Sequence, residues 1–214
     1  MTENELKGVL SNFKVIPYNA TMKILMQNLE NKKKEDVLYI VAGPNGSGKS
    51  TLIANMYKNG YLDNVRYINA DMIGKTLFCL SSPIEKKNKK AMYYTMDFLK
   101  NNVKKHKATI YETVMSHPSK LDIIKLYKAN GFKICSIFIC PNLVSVNYER
   151  VKQRVKEGGH DVSTEKITKR FEASNKLKRS LKELSDTYFE IDSTTERLKI
   201  IDKKIEATAI KTDI

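Results

Sequence analysis

The chain has 214 residues, 41% hydrophobic and 29% charged, which is enough for one sizeable α/β core and too apolar for a disordered chain. It contains no run of about 18 apolar residues, which excludes a helical membrane span, and its opening MTENELKGVLSNFK lacks the basic-then-apolar order of a secretion signal, so a cytoplasmic location is expected. The formal net charge of +14 raises nucleic acid as a partner, but the lysines fall in separate clusters (Lys32–Lys34, Lys86–Lys90, Lys104–Lys107) without interleaved aromatics, so solvated helix faces account for them better.

Two amphipathic segments open the chain, at Glu3–Asn12 and Ala20–Asn31, the second with Met22, Leu25, Met26 and Leu29 at helical spacing. They predict a helical extension, residues 1–36, packed on a core formed by residues 37–214. A charged connector, Lys32–Asp36, leads to the first strand, Val37–Gly43, whose near-continuous apolar run suits a parallel strand covered on both faces. Further strands are expected at Val65–Asp71, Ala108–Thr113, Lys133–Cys140 and Tyr188–Asp192. Between them lie helical patterns at Ser50–Asn59, Ile84–Lys105 (Met92, Met96, Leu99 and Val103 on one face), Ser119–Asn130, Leu143–Gly158 and Ser163–Ser185. Strands alternating with helices predict an α/β fold of three layers with a five-stranded, mainly parallel sheet. The three cysteines, Cys79, Cys135 and Cys140, read as buried free thiols. The last two lie in one strand an odd number of positions apart, so they face opposite ways.

Gly43-Pro44-Asn45-Gly46-Ser47-Gly48-Lys49-Ser50 satisfies G-x-x-x-x-G-K-[ST] at every fixed position, after a strand and opening a helix. By composition alone this pattern arises in about 1% of chains of this length. Glycines let the backbone wrap close to phosphates so that successive N–H groups form an anion nest, and the following helix adds its N-terminal dipole. Lys49 can reach the β- and γ-phosphates and the Ser50 hydroxyl can hold Mg²⁺; Thr51 completes the loop set for ATP. Phosphoryl transfer needs a base for the acceptor and charge neutralisation on the phosphates. Asp71 and Glu112 each end a predicted strand, where ligands of an open parallel sheet gather. Asp71 is a candidate base or a helix cap; Glu112 is a candidate for acceptor hydroxyls or for Mg²⁺ through water. Arg150 and Arg154 lie one helical turn apart, Gly158-Gly159 breaks the pattern, and Arg170 follows on the next helix. This predicts a helical lid over about residues 150–175, with His160 beside its hinge.

In the same order, AGPNGSGKST, INAD, IYET with Ser116, RVKQRVKEGGHDV, ITKRFEAS and EIDS resemble the zeta-toxin family of P-loop kinases, in its small stand-alone branch with a Gly-Gly-His lid. The resemblance runs from about Val37 to Ser193. It implies that Lys49 and Ser50 handle ATP–Mg²⁺, that Asp71 is the base and Glu112 contacts the acceptor, and that Arg154 and Arg170 face the phosphates. Asp192-Ser193 falls where relatives carry an Asp-Asn-Ser-like turn near the adenine, with the Asn absent here. The family's toxins phosphorylate UDP-N-acetylglucosamine, which makes a UDP-sugar the leading acceptor and a protein antitoxin a partner to consider. Two rivals stay open: a kinase of a polynucleotide end, a nucleoside or a metabolite, and a nucleotide-dependent switch without an acceptor.

Overall fold

A computed structural model describes residues 23–25, 27, 36–62, 65–77, 84–159 and 161–205. The expected helix at Glu3–Asn12, most of that at Ala20–Asn31, connector residues 32–35, Cys79 and His160 lie outside them. The elements in chain order are β1 (Val37–Ala42), α1 (Lys49–Lys58), β2 (Arg66–Asn69), α2 (Ala70–Leu77), α3 (Ile84–Lys104), β3 (Thr109–Thr113), α4 (Ser119–Ala129), β4 (Lys133–Cys140), α5 (Val144–Lys156), α6 (Thr164–Leu184), β5 (Thr187–Asp192) and β6 (Lys199–Lys204). They build one sheet in the order β2-β3-β1-β4-β5-β6, parallel except for the β5–β6 pair.

Every residue of β1 is buried because helices cover both faces of the sheet. Val37, Tyr39 and Val41 pack with α1 through Leu52, Ile53 and Met56, where Leu25 also buries its side chain. Leu38, Ile40 and Ala42 face α3 and α4 through Leu99, Val103, Ile124 and Tyr127. Period-two alternation puts Cys135 in the first cluster and Cys140 in the second, both free, as their spacing predicts.

Three expectations need correction. The sheet has six strands rather than five: β6, KIIDKK, reads as a charged tail but is an antiparallel edge, where lysines discourage further pairing. Its Ile200 packs on the core and Asp202 pairs with Lys182 at 2.6 Å. The second strand stops at Asn69, because the Asn69 side chain accepts the Asp71 amide at 2.8 Å and starts α2, as an N-cap does. On α3 Leu99 and Val103 are buried as predicted, but in the first half of the helix the buried positions are Ala91 and Thr95, so Met96 is only partly buried and Met92 is exposed.

One carboxylate in the turn between α6 and β5 reaches two neighbouring elements. Asp186 accepts the Ile134 amide at 2.8 Å and the Lys128 ammonium at 3.1 Å, which fixes β4, β5 and α4 together. Burial pushes the Asp186 carboxyl up, but the Ile134 amide and the nearby lysines outweigh it and hold the group below its ordinary value. A depressed folded pKa adds stability above the unfolded value of about 3.9, and that stability is lost as pH falls through the folded value. Asp186→Asn is expected to cost about 1–2 kcal/mol in urea unfolding at pH 7, with the deficit shrinking below about pH 4. Equal midpoints at pH 7 would show that the carboxylate does not hold this turn.

Candidate active site

The loop after β1 turns at the carboxyl edge of the sheet, and two of its glycines are sterically required. A Cβ on Gly43 would lie 2.0 Å from the Ile139 carbonyl of β4, and one on Gly46 would lie 2.7 Å from the Asn147 carbonyl of α5; both backbones have positive φ, +147° and +75°. The loop is also tied from outside. Asn147 donates to the Asn45 carbonyl at 2.6 Å, and Ser193, just past β5, donates to the Ser47 carbonyl at 2.9 Å. The Pro44 carbonyl takes the Lys49 ammonium at 2.8 Å. Gly48 precedes α1 in a left-handed conformation and hands the chain to Lys49, Ser50 and Thr51. Thr51 serves the helix locally, its carbonyl accepting from Asn55 at 2.8 Å.

Opposite the loop, Glu112 at the end of β3 accepts the Ser50 hydroxyl on Oε1 at 2.7 Å and the Tyr67 hydroxyl on Oε2. Asn69 donates to the Tyr67 oxygen at 3.3 Å, and its carbonyl oxygen holds the Asp71 amide. Burial, then the Glu112 charge, pushes the Tyr67 phenol well above its ordinary range, so it stays a donor. Asp71 therefore sits in the first turn of α2, exposed, rather than at a strand end. Its charge still reaches the loop lysine. Burial lowers the Lys49 pKa, with Arg154 acting the same way, while Glu112 and Asp71 oppose them, so one buried ammonium senses all three charges.

The two arms of the predicted lid approach the same loop. Arg170 on α6 donates from Nη1 to the Asn45 side chain at 3.0 Å. The Tyr148 and Thr168 hydroxyls, 2.6 Å apart, join α5 to α6. Between the arms, the Gly158 amide bonds to the Val155 carbonyl and the Gly159 amide to the Arg154 carbonyl, with Gly158 at φ +79°. That is a Schellman stop to the helix, so both glycines have a geometric reason. A Cβ on Gly159 would come within 2.5 Å of the Arg154 Cγ and 2.7 Å of the Arg154 carbonyl oxygen, so its absence makes room for that arginine and for the helix end.

Arg150 does not join Arg154. It donates to the Ser193 carbonyl at 2.6 Å, beside Asp192 and Glu196. Asp192 itself accepts from Asn142 and Thr194, and Ser193 supports the loop, so this pair braces the turn. The structure brings Glu112 and Lys49 together with Ser50. Tyr67, Asn69 and Asn147 escaped the sequence reading. An Asn four positions before Val151, and an Asn two positions before Asp71, were the available signals.

The Zeta toxin family model matches residues 23–213. A protein of Haemophilus influenzae described as uncharacterized is 33% identical over 69 residues, 32% of this chain and 49% of its own, so the chain spans about half the length of that curated relative. Among solved structures, the AvrRxo1-ORF1:-ORF2 complex with ATP superposes with a TM-score of 0.64 at 15% identity, over 95% of this chain and 66% of that one. The PezAT chromosomal toxin–antitoxin system of Streptococcus pneumoniae gives 0.58 at 13% identity, over 95% and 82%. At these identities the superpositions establish the fold.

The gap left by Gly159 yields a test. Gly159→Ala should displace Arg154 and weaken binding of an ATP analogue about fivefold, while the thermal midpoint stays within a few degrees. Unchanged affinity would show that Arg154 does not depend on this gap.

Proposed function

The chain belongs to the zeta-toxin family, and from that premise we propose that it is a kinase that transfers the γ-phosphoryl group of ATP to a hydroxyl of a small molecule. The observation that carries this reading is the Ser50–Glu112 hydrogen bond at the mouth of a phosphate loop whose buried Lys49 ammonium feels the charges of Glu112, Asp71 and Arg154. A pure nucleotide switch has no need of an exposed carboxylate such as Asp71 there.

In the proposed reaction the acceptor oxygen forms a bond to the γ-phosphorus, the bond from that phosphorus to the β,γ-bridging oxygen breaks, and ADP leaves. The acceptor proton passes to the Asp71 carboxylate, which is open to solvent on the first turn of α2. Lys49, released from the Pro44 carbonyl, meets the β- and γ-phosphates, and Arg154 and Arg170 add fixed positive charge. A hydroxyl bonded to a carboxylate is a fitting donor set for Mg²⁺, with Ser50 as ligand and Glu112 as its orienting partner. Mg²⁺, when bound, neutralises charge on the phosphate oxygens. Glu112 is thereby assigned more to the metal side than to the acceptor. Closure of the turn between α5 and α6 would exclude water from the transferable group.

The leading acceptor is a UDP-sugar such as UDP-N-acetylglucosamine, by membership of the family; the cytoplasm, where ATP is abundant and Cys135 and Cys140 stay reduced, is the proposed location. Among the described residues no helix is long and apolar enough to cross a membrane. A protein antitoxin is a proposed partner, on the likeness to the PezAT chain. A polynucleotide end is the second reading for the acceptor. On α3, Tyr93 and Tyr94 are 56% and 55% exposed and follow the exposed Lys89 and Lys90, an aromatic–basic neighbourhood that the sequence reading did not recognise.

Incubation with labelled ATP and, in parallel, UDP-N-acetylglucosamine, single-stranded RNA and a metabolite extract tests the reading. A labelled UDP-sugar supports it, and label on RNA selects the second acceptor. No labelled product in any arm, with ATP bound, favours the switch. Lys49→Ala should lower transfer by about 10²-fold or more without unfolding the chain, because it removes charge from an anion site. Asp71→Asn should keep ATP affinity within a few-fold and lower transfer by about 10²–10⁴-fold. Loss of ATP binding in Asp71→Asn would make that residue structural or metal-binding instead.

A further inference from the structure

Arg170 is not carried on a freely swinging arm. Three residues before it on α6, Ile167 is buried, and four residues after it Ser174 is buried and donates to the Val114 carbonyl in the β3–α4 loop. Residues 167, 170 and 174 share one helical face, so the arginine projects from an anchored stretch. What meets it there is the side chain of Asn45, a position that the phosphate-loop pattern leaves free.

We propose that Asn45 is the positioning residue of Arg170, holding its guanidinium at the rim of the loop before nucleotide arrives; this rests on the kinase reading above. Asn45 is suited to the task because it is itself immobilised. It is 5% exposed, its carbonyl is taken by Asn147 at 2.6 Å, and Asn147 is fully buried on α5. One residue of the loop is thus bonded from both arms, by its main chain to α5 and by its side chain to α6. An arginine side chain has several free torsions, so fixing one of its N–H groups removes much of the ordering cost and leaves the other donors of the fork for a phosphate. The neutral amide matters as much as its place. A carboxylate at this position would bind the guanidinium more tightly but cancel the charge that the phosphates require, and would itself repel them.

The readout is the ratio of affinities for a non-hydrolysable ATP analogue and for ADP, which isolates the contribution of the γ-phosphate and needs neither an acceptor nor turnover. In the wild type the analogue should bind more tightly. Asn45→Ala and Arg170→Ala should each reduce that preference by about tenfold, the range for a hydrogen bond to a charged group, and the double variant should lose no more than Arg170→Ala alone. Asn45→Asp should reverse the preference by weakening analogue binding more than ADP binding, while Asn45→Gln, which keeps the amide, should restore part of it. A residue that only stabilised the loop would weaken both ligands alike and leave the ratio unmoved. The proposal is overturned if Asn45→Ala keeps the wild-type ratio, or if its effect is undiminished in the Arg170→Ala background. A wild type that makes no distinction between the two ligands would overturn the lid-arginine reading itself, a result separable from the others because Asn45 plays no part in it.

Discussion

A loop that points its amides inward at an anion must point carbonyls outward, and a carbonyl turned from water needs a donor. Three carbonyls of this loop have a side-chain donor: Pro44 from Lys49, Asn45 from Asn147, and Ser47 from Ser193. The rest of the site follows from those bonds. The strand β5 has to end where Ser193 can reach the loop, and Arg150 holds the Ser193 carbonyl rather than a phosphate. The helix α5 has to pass close enough for a buried Asn to reach in, which leaves no space for a side chain on Gly46.

Charge arrangement has the same economy. Lys49 is buried, a condition that on its own favours the neutral amine, and the carboxylates of Glu112 and Asp71 counter it. Glu112 is in turn oriented by two hydroxyl donors, one from the loop and one from β2, with Asn69 linking that network to the start of α2. The start of α2 and the phosphate loop are therefore linked by one chain of polar contacts across β3 and β2.

The phosphate loop, five strands and the long helices were legible because their signals are local: an apolar run, a spacing, a glycine at a helix end. Glu112 was legible because a strand end in a parallel sheet has one destination. The failures were also physical. KIIDKK has the composition of a solvated tail, and its pairing to β5 depends on a partner strand that pattern reading cannot supply. Asp71 was displaced from its predicted strand end by a capping bond from Asn69, a local competition between strand and helix that the alternation of VRYINAD does not reveal. Tyr67 looked like an ordinary strand aromatic, and its role appears only when β3 brings Glu112 alongside. Arg150 and Arg154 share a spacing but diverge, because one meets the turn after β5 and the other the space left by Gly159.

The Ile139 carbonyl that forms the floor under Gly43 belongs to a strand synthesised long after the loop, and the Ser193 hydroxyl that holds Ser47 later still. A nascent chain that has just exposed the loop carries all the residues of the nucleotide motif and none of the scaffold that shapes it. The loop's bracing is therefore complete only once β4 and β5 have docked, and a polypeptide ending before residue 193 lacks the Ser193 bond to the Ser47 carbonyl.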